Sequence, residues 1–326
     1  MNERRFGETE LRVTPVGLGL AAIGRPAYIN LGRERDLPGD RVVGDMRARA
    51  HQLLDDALRI GVRYFDVARS YGLAEDFLGS WLRSRAPLPV PITCGSKWGY
   101  RYVGDWRLDA PVHEVKEHSI SALRAQYQES QTLLGEHLNL YQVHSAALES
   151  GVLENREVLA ELLSLREAGL VIGITVSGPG QADTIRRALT VGVDGVNPIT
   201  SVQATWNLLE TSAGAALAEA HHAGWGVLVK EGLANGRLLD TEDPRLEPLR
   251  EVAAAHRVGA DAVALAVVLA QEWADVALSG AVTVGQLESN VRAADLKLAA
   301  AELDALGDLS EPAQLYWSER SALPWR

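Results

Sequence analysis

The stretch that decides the fold occupies residues 61–79 and reads GVRYFDVARSYGLAEDFLG. It begins with a largely apolar run that ends in a carboxylate, Asp66, and Tyr71 follows five residues later, just before Gly72. A short apolar run of this kind is typical of a strand that is buried on both faces. In a closed parallel barrel, a polar residue at the carboxyl end of a strand faces the catalytic mouth. The segment therefore predicts a strand, a catalytic loop and the start of a helix, in that order.

The same alternation of a short apolar run with a longer amphipathic one recurs along the chain. Strand and helix alternating eight times predicts an α/β protein whose parallel sheet closes into a single (β/α)8 TIM barrel. Gly61, Gly169 and Gly224 each stand between a predicted helix and the next strand, where a left-handed C-cap is needed. The predicted strands span residues 16–20, 62–66, 92–97, 138–144, 170–176, 195–203, 226–230 and 276–280. The predicted helices span residues 49–60, 75–84, 114–134, 154–168, 181–190, 210–223, a paired segment at 246–272, and 284–294.

Two segments near the amino terminus lie outside this alternation. Residues 4–13 predict an N-terminal β-hairpin that turns near residues 7–9. Residues 26–45 predict a long polar loop after the first strand, and such a loop is usually functional or mobile, with a solvated insertion as the alternative. We expect one domain over residues 1–326, because α/β barrels often reach this length as a single unit.

The composition excludes several classes of protein. The chain has 326 residues and a formal net charge of −11, whereas a nucleic-acid or anionic-membrane partner would require a basic stripe. Cys94 is the only cysteine, so an intramolecular disulfide cannot form, which fits a reducing cytoplasm. The first residues contain no apolar signal-peptide segment, and the longest apolar run, residues 262–270, is about half of a membrane span. We therefore expect a cytoplasmic protein with a small-molecule partner and no metal site; the oligomeric state is not predicted.

Two further strand ends carry polar side chains. Residues 94–100 read CGSKWGY, with Lys97 at the end of a predicted strand, and residues 140–145 read LYQVHS, with His144 at the end of the next. Taken singly, Asp66, Lys97, His144 and Tyr71 each have an ordinary explanation, as a helix cap, a solvated charge, a core histidine and a packing aromatic. On consecutive strand ends of one barrel they converge, and this combination favours a catalytic site.

The chemistry of carbonyl reduction explains why these four residue types belong together. Hydride transfer from a nicotinamide to a carbonyl carbon leaves charge on the oxygen, which then needs a proton. A phenol with a pKa of about 10 is a slow acid at neutral pH, and a neighbouring ammonium is expected to lower the pKa of Tyr71. Asp66 would hold Lys97 charged in a partly buried site, and a neutral His144 would hydrogen-bond the substrate oxygen and orient it.

The segments around Asp66, Lys97 and His144 resemble those of the aldo-keto reductase superfamily. So do LVIGITVS at residues 170–177, SVQATWNLL at 201–209 and QLESN at 286–290, and the resemblance runs in order over most of the chain. It implies a (β/α)8 fold, an NAD(P)H cofactor that is bound without a Rossmann domain, and the catalytic roles just described. It also implies a C-terminal tail that folds over the catalytic face of the barrel.

The resemblance further implies a set of cofactor contacts. Ser177 and Gln203, together with Asp66, should hold the nicotinamide carboxamide, while Gly280 and Ala281 should lie near the phosphates. Gln286 and Asn290 should lie near the adenosine. The remaining candidates follow the first and seventh strands, namely Leu20, Ala21, Lys230, Leu233, Asn235 and Arg237. The run GLGLAAIG at residues 17–24 is not a dinucleotide fingerprint, because its last glycine comes too late and no helix follows at once.

Two positions depart from the family pattern. Lys230 stands where many relatives have an aromatic residue that stacks on the nicotinamide, and a lysine cannot stack on the ring in that way. Gln286 stands where many NADPH-preferring relatives have an arginine that grips the 2′-phosphate. The resemblance favours NADPH, and the neutral Gln286 weakens that preference. We therefore expect NADPH to be preferred over NADH by a modest factor, with NADH as the alternative cofactor.

Tryptophan is abundant, with eight residues against three phenylalanines, and aromatic walls suit sugar rings and flat or apolar groups. Trp98, Trp106, Trp206 and Trp317 are the candidates for substrate contacts, and Trp325 lies in the same tail as Trp317. The expected substrate is a small carbonyl compound or a sugar-like molecule.

Three alternatives to carbonyl reduction stay open. The same four residues could run oxidatively, as in an aldose dehydrogenase, because microscopic reversibility lets them serve both directions. A nucleotide-binding regulatory subunit, a role that some relatives have, would keep the fold without turnover. An unrelated barrel isomerase that uses Lys97 as a Schiff base fits poorly with the cofactor-like segments after strands five to eight.

Overall fold

Eight parallel strands close into a barrel in a computed structural model that describes residues 1–37 and 41–325. Each strand pairs with its neighbours in sequence order, and the eighth returns to the first, with Ala277 opposite Val16. The (β/α)8 TIM barrel predicted from the sequence is confirmed. The strands, β1 to β8, are Val16–Gly19, Tyr64–Asp66, Thr93–Trp98, Leu138–Ala146, Val171–Val176, Ser201–Thr205, Gly226–Lys230 and Val276–Ser279.

Helices surround the barrel and bury their apolar faces against it. Among the predicted left-handed positions, Gly61 caps the second helix with a φ of 103°, and Gly169 and Gly224 also have positive φ values. The α-helices are Arg33–Asp36, Val43–Ile60, Ala74–Arg85, Ile120–Leu134, Arg156–Glu167, Gln181–Leu189, Gly214–His222, Glu247–His256, Ala260–Leu269, Val284–Val291, Ala300–Gly307 and Ala313–Ser321. Short 3-10 helices lie at Gly135–His137, Leu148–Ser150, Ala234–Leu239, Pro244–Leu246 and Arg292–Ala294.

The two termini close opposite ends of the barrel. Arg4–Arg5 pairs with Arg12–Val13 in the predicted hairpin, and Phe6 between them is fully buried in one apolar cluster with Leu140, Leu228 and Val276. These last three residues come from β4, β7 and β8, so the hairpin plugs the amino-terminal end of the strands. The C-terminal tail lies at the other end, where it lines the cleft described below.

Two predicted elements begin later than the sequence pattern indicated. Residues 114–116 do not begin a helix: Glu114–Lys116 pairs antiparallel with Tyr100–Tyr102, and the helix starts after Ser119, whose hydroxyl accepts from the Ala122 amide. The sixth strand begins at Ser201 rather than at 195, because the segment before it turns and contains a proline, which cannot donate to a ladder.

The predicted loop at 26–45 contains regular structure. Arg33–Asp36 is a short helix, and Val43–Ile60 begins six residues before the predicted start at 49. Residues 38–40 of this loop lie outside the described residues.

Within the described ranges, no single helix is long and apolar enough to span a membrane. The pair Pro244–His256 and Ala260–Leu269 reaches that length and hydropathy only when it is taken together across a 95° bend.

Candidate active site

Asp66 and Lys97 form a buried ion pair where β2 and β3 end. The expected pair is present, with side-chain exposures of 3% and 0%, and Lys97 Nζ also donates to the Val67 carbonyl at 3.0 Å. Burial lowers the pKa of Lys97, and the Asp66 carboxylate opposes that shift. Because the Lys97 side chain is fully buried, its ammonium requires the carboxylate partner in order to stay charged.

Tyr71 lies over this ammonium, in the loop that follows β2. Lys97 Nζ is 4.7 Å from the Tyr71 ring centroid, and the residue is 8% exposed. The pKa of Tyr71 is raised well above its usual value, first by burial and then by the Asp66 carboxylate. This direction is opposite to the sequence expectation, in which the Lys97 ammonium favours the phenolate. Burial disfavours the charged phenolate, and the negative charge of Asp66 offsets the positive charge of Lys97. In the resting protein, Tyr71 therefore holds its proton.

His144 completes the group at the end of β4. Its ring meets the Tyr71 ring edge-on, with 5.5 Å between centroids, and Tyr100 lies on another side at 5.0 Å. Ser70 Oγ is 3.3 Å from His144 Nδ1. Burial, with Lys97 and other nearby cations, holds the pKa of His144 well below its usual value, so the imidazole is neutral. Since Nδ1 is engaged by Ser70, Nε2 is the nitrogen that remains for a substrate oxygen.

Polar side chains from β6 and β7 continue the site. Gln203 Nε2 donates to the second Asp66 oxygen at 3.0 Å, and Tyr64 donates to the same oxygen at 3.2 Å. Lys230 Nζ donates to Ser177 Oγ at 2.9 Å, and burial lowers the pKa of Lys230 to about 8. Asp66, Ser177 and Gln203, the three residues that the resemblance assigns to one cofactor group, all line one cleft.

A cleft of about 970 Å³ crosses the mouth of the barrel over these residues. We call the part lined by Asp66, Tyr71 and His144 its near end, and the part lined by Asp36 and Gln286 its far end. His144 ends β4 and Gln286 follows β8, and these two strands lie on opposite sides of the closed barrel. The predicted residues that line the cleft are Ala21, Asp66, Tyr71, His144, Ser177, Gln203, Lys230, Leu233, Asn235, Gly280, Ala281, Gln286, Asn290 and Trp317.

Two predicted cofactor residues, Leu20 and Arg237, and one predicted catalytic residue, Lys97, do not line the cleft. Lys97 lies behind Asp66, and Leu20 is fully buried in the core beside Phe65 and its neighbours. Arg237 turns away, because its guanidinium pairs with Glu311 at 2.7 Å and with a second tail carboxylate at 2.6 Å. It holds the C-terminal tail in place instead of facing the cleft.

Three of the four predicted substrate tryptophans are also outside the cleft. Trp98 is fully buried against His118, with 5.7 Å between ring centroids. Trp106 packs on Phe77, and its indole donates to the Arg41 carbonyl at 2.7 Å. Trp206 packs on Trp273 at 5.5 Å. Trp98 is the last residue of β3, and Trp106 and Trp206 lie beyond strand ends as predicted, but all three side chains pack outside the cleft.

Sequence reasoning missed a group of residues around Arg25 at the near end. The Arg25 guanidinium pairs with Glu114 at 2.6 Å and lies over the rings of Tyr28, Tyr71 and Trp325, at 4.7, 5.1 and 4.9 Å. These residues come from a loop, a hairpin and the tail, and all of them line the cleft. No local motif marks them, although Trp325 stood out as one of the tail tryptophans.

At the tail, Arg320 pairs with Glu231, the residue after β7. Burial works against ionisation of Glu231, but Arg320 and Lys230 together lower its pKa to about 2. This ion pair fixes the tail helix Ala313–Ser321 beside the cleft.

At the far end, Gln286 joins two segments that are distant in sequence. Its Oε1 accepts from the amides of Val282 and Thr283 at 2.9 and 3.3 Å, which caps helix Val284–Val291. Its Nε2 donates to the Asp36 carboxylate at 2.7 Å, across 250 positions of the chain. Gln286 is therefore engaged by its own helix and by the loop after β1.

Comparisons with known proteins agree with the geometry. A model of the aldo/keto reductase family matches residues 43–311. The uncharacterized oxidoreductase YqkF of Bacillus subtilis is 26% identical over 168 residues, which are 50% of this chain and 45% of that protein. The chain thus matches about half the length of this curated relative.

Two solved structures share the fold. The holo form of the aldo-keto reductase AKR11C1 from Bacillus halodurans superposes with a TM-score of 0.73 at 22% identity, over 96% of this chain and 97% of that one. The glycerol dehydrogenase AKR11B4 from Gluconobacter oxydans gives a TM-score of 0.70 at 21% identity, over 94% of each chain.

Proposed function

The chain belongs to the aldo/keto reductase family, and on that premise we propose that it reduces the carbonyl group of a small aldehyde or ketone to an alcohol with NAD(P)H. The observation that carries the proposal is the convergence of Tyr71, Lys97, Asp66 and His144 at the near end of the cleft. A protonated phenol, a buried ion pair and a neutral imidazole together suit proton delivery to a carbonyl oxygen.

The cleft suits a nicotinamide dinucleotide. Its volume of about 970 Å³ lies at the upper end of the range for small-molecule and cofactor sites. Asn235 lines it and is 5% exposed, yet its Oδ1 has no hydrogen-bond partner among the described residues. A buried polar atom without a partner is rare, and a ligand hydroxyl or amide would satisfy it. Ser177 and Gln203 would hold the carboxamide, and Gly280 and Ala281 would lie near the phosphates.

The chain's own residues move the proton. NAD(P)H, when bound, supplies the hydride. Ser70 can donate to His144 Nδ1, which leaves Nε2 protonated and able to donate to the substrate oxygen. Tyr71 gives up its proton to that oxygen, and the phenolate that develops lies beside the Lys97 ammonium. Asp66 keeps this ammonium charged, so the phenolate is stabilised at the moment it forms.

A second candidate, the oxidation of an aldose at its anomeric hydroxyl, is favoured by the walls of the near end. Arg25, Glu114 and Lys116 line the cleft together with Tyr100 and Trp325. Charged side chains interleaved with aromatic rings suit a polyhydroxylated ring, whose edges hydrogen-bond while its faces pack on apolar surface. In this direction, Tyr71 would accept the proton that it donates in reduction.

The test is a panel of aldehydes, ketones and aldoses, assayed in both directions with each cofactor through the absorbance of the reduced nicotinamide. Reduction of a carbonyl substrate would support the first function, and faster oxidation of an aldose would support the second. Tight cofactor binding without turnover of any substrate would instead indicate a regulatory subunit. If neither NADH nor NADPH binds, both proposals fail.

A further inference from the structure

The far end of the cleft carries a carboxylate that the sequence pattern did not single out. Asp36 lines the cleft, is half-buried, and accepts from Gln286 Nε2 at 2.7 Å. Gln286 cannot turn away without leaving the amides of Val282 and Thr283 that it caps. The carboxylate is therefore held at a fixed place in the wall.

The position of this carboxylate relative to a bound dinucleotide follows from the barrel. TIM barrels commonly bind phosphate at the loops after strands seven and eight and at the N-terminus of a short helix that follows. Here, Gly280 and Ala281 line the cleft after β8, and helix Val284–Val291 starts just beyond them. If the nicotinamide lies at the near end, as the proposed function requires, the adenosine ribose lies past the phosphates, beside Gln286 and Asp36.

Asn235 independently points to a ligand at this side of the cleft. Its Nδ2 donates to Asn30 Oδ1 at 3.3 Å, while its Oδ1 is buried without a partner among the described residues. Asn30 lies 3.7 Å from the position that a Cβ on Gly280 would take. The unsatisfied acceptor therefore lies close to the loop after β8, where a polar ligand would satisfy it.

The fixed charges at the far end are mainly negative. Asp36 lies there, and Asp261, which accepts from Asn290 on the same helix as Gln286, also lines the cleft. Two arginines line it as well, but Arg33 is buried and donates to the carbonyls of Ala22, Pro26 and Arg25 at 2.9, 2.7 and 2.6 Å. Arg35 is exposed at the rim. Among the described residues that line this part of the cleft, a 2′-phosphate would therefore meet a held carboxylate and one exposed cation, Arg35.

We propose that Asp36 selects NADH over NADPH, by accepting a hydrogen bond from the adenosine ribose and repelling a 2′-phosphate. An acidic residue has this role in Rossmann dinucleotide sites, where it bonds the ribose 2′-hydroxyl. A phosphate monoester carries between one and two negative charges at neutral pH, so its approach to a carboxylate is costly. This proposal rests on the proposed function, and it reverses the modest NADPH preference that the family resemblance implied.

Binding of the two cofactors to Asp36→Asn and to the wild type tests this directly. Dissociation constants would be measured by fluorescence titration with NADH and NADPH separately. We expect the wild type to bind NADH about 10- to 100-fold more tightly, the range for one charged hydrogen bond. Asp36→Asn should lose most of this ratio, chiefly because NADPH binds more tightly. Asp304→Asn removes the same charge from an exposed position outside the cleft and should leave the ratio unchanged.

The competing explanation is that Arg35 grips the 2′-phosphate. The wild type would then bind NADPH more tightly, Arg35→Gln would lose that preference, and our proposal would be overturned while the proposed function would stand. Equal binding of both cofactors in the wild type and in Asp36→Asn would overturn it in the same way.

A salt titration of the wild type separates the two explanations without any variant. Salt screens repulsion by Asp36, so the NADH preference should narrow as ionic strength rises. If NADPH instead binds more tightly and loses that preference with salt, an attractive cation controls the choice.

Discussion

The near end and the far end of the cleft are built in different ways. At the near end, Asp66, Lys97 and His144 are fixed by strand ends of the barrel, and the central ion pair joins residues only 31 positions apart. At the far end, Asp36 and Gln286 meet across 250 positions, from a loop and from a helix beyond the last strand. The near end is therefore fixed by the fold, whereas the chemistry of the far end depends on one loop and can differ between chains with the same barrel.

The largest effect should come from removing the proton donor at the near end. Tyr71→Phe should lower kcat by about 100- to 10,000-fold, the usual contribution of a placed general acid. The dissociation constants of both cofactors should stay nearly unchanged, because the hydroxyl serves the reaction and not the far end. Steady-state kinetics and fluorescence titration would measure the two quantities. Tyr127→Phe, on the outer helix Ile120–Leu134, is the matched control. Near wild-type turnover of Tyr71→Phe would remove Tyr71 from the mechanism.

The next effect concerns the stability of the near end. Asp66→Asn leaves the buried Lys97 without its carboxylate, and breaking such a pair costs about 3–5 kcal/mol. Urea unfolding would measure this loss, and activity should fall with it.

The loss should also depend on pH. Burial alone lowers the pKa of Lys97 once Asp66 is gone, so the folded variant binds fewer protons than the unfolded chain. Its free energy of unfolding should therefore rise with pH, up to the pKa of unfolded lysine at about 10.4. Asp66→Asn combined with Lys97→Met should recover stability without activity. If Asp66→Asn alone were as stable as the wild type at neutral pH, that result would contradict the buried ion pair.

A smaller effect should come from Trp325, a residue of the C-terminal tail that lines the near end of the cleft. Trp325 stacks on His113 at 4.4 Å and lies against Arg25. Trp325→Ala should raise KM for the substrate by about two- to tenfold, as expected for the loss of aromatic packing, with little change in kcat or cofactor binding. Trp206→Phe, outside the cleft, should leave KM unchanged. If Trp206→Phe raises KM and Trp325→Ala does not, the assignment of the substrate wall is wrong.

The barrel and the near end could be predicted because both depend on short-range patterns. Apolar runs of buried strands are visible in the sequence, and a parallel barrel brings all carboxyl strand ends to one face. The convergence of Asp66, Lys97 and His144 can therefore be predicted without knowing how the loops fold. The prediction of a phenol with a lowered pKa was wrong for a local reason: burial raises the pKa of Tyr71, and Asp66, which keeps Lys97 charged, raises it further.

Residues beyond the strand ends could not be placed in the same way. Trp98, Trp106 and Trp206 follow strands, but the direction of each side chain depends on the helices and loops that pack around it. Glu114–Lys116 pairs with the preceding strand Tyr100–Tyr102 and forms a hairpin with it, although its sequence pattern predicted a helix. Asp36 is held in the wall of the cleft by its contact with Gln286, and no local pattern in the sequence indicates such a contact.

The smallest predicted effect tests the coupling of those two residues. When residue 36 is the native aspartate, the guanidinium introduced by Gln286→Arg should pair with Asp36. The affinity for NADPH should therefore improve by only about two- to threefold. In Asp36→Asn, the introduced guanidinium has no carboxylate beside it, and the same substitution should improve NADPH binding by about tenfold, roughly one charged hydrogen bond. NADH binding should change little in either background, and loss of the helix cap should cost about 0.5–2 kcal/mol of stability. The four proteins form a double-mutant cycle, read by titration with each cofactor. Equal gains in both backgrounds would mean that Asp36 and residue 286 do not face the same phosphate, and the far end would then select its cofactor by other residues.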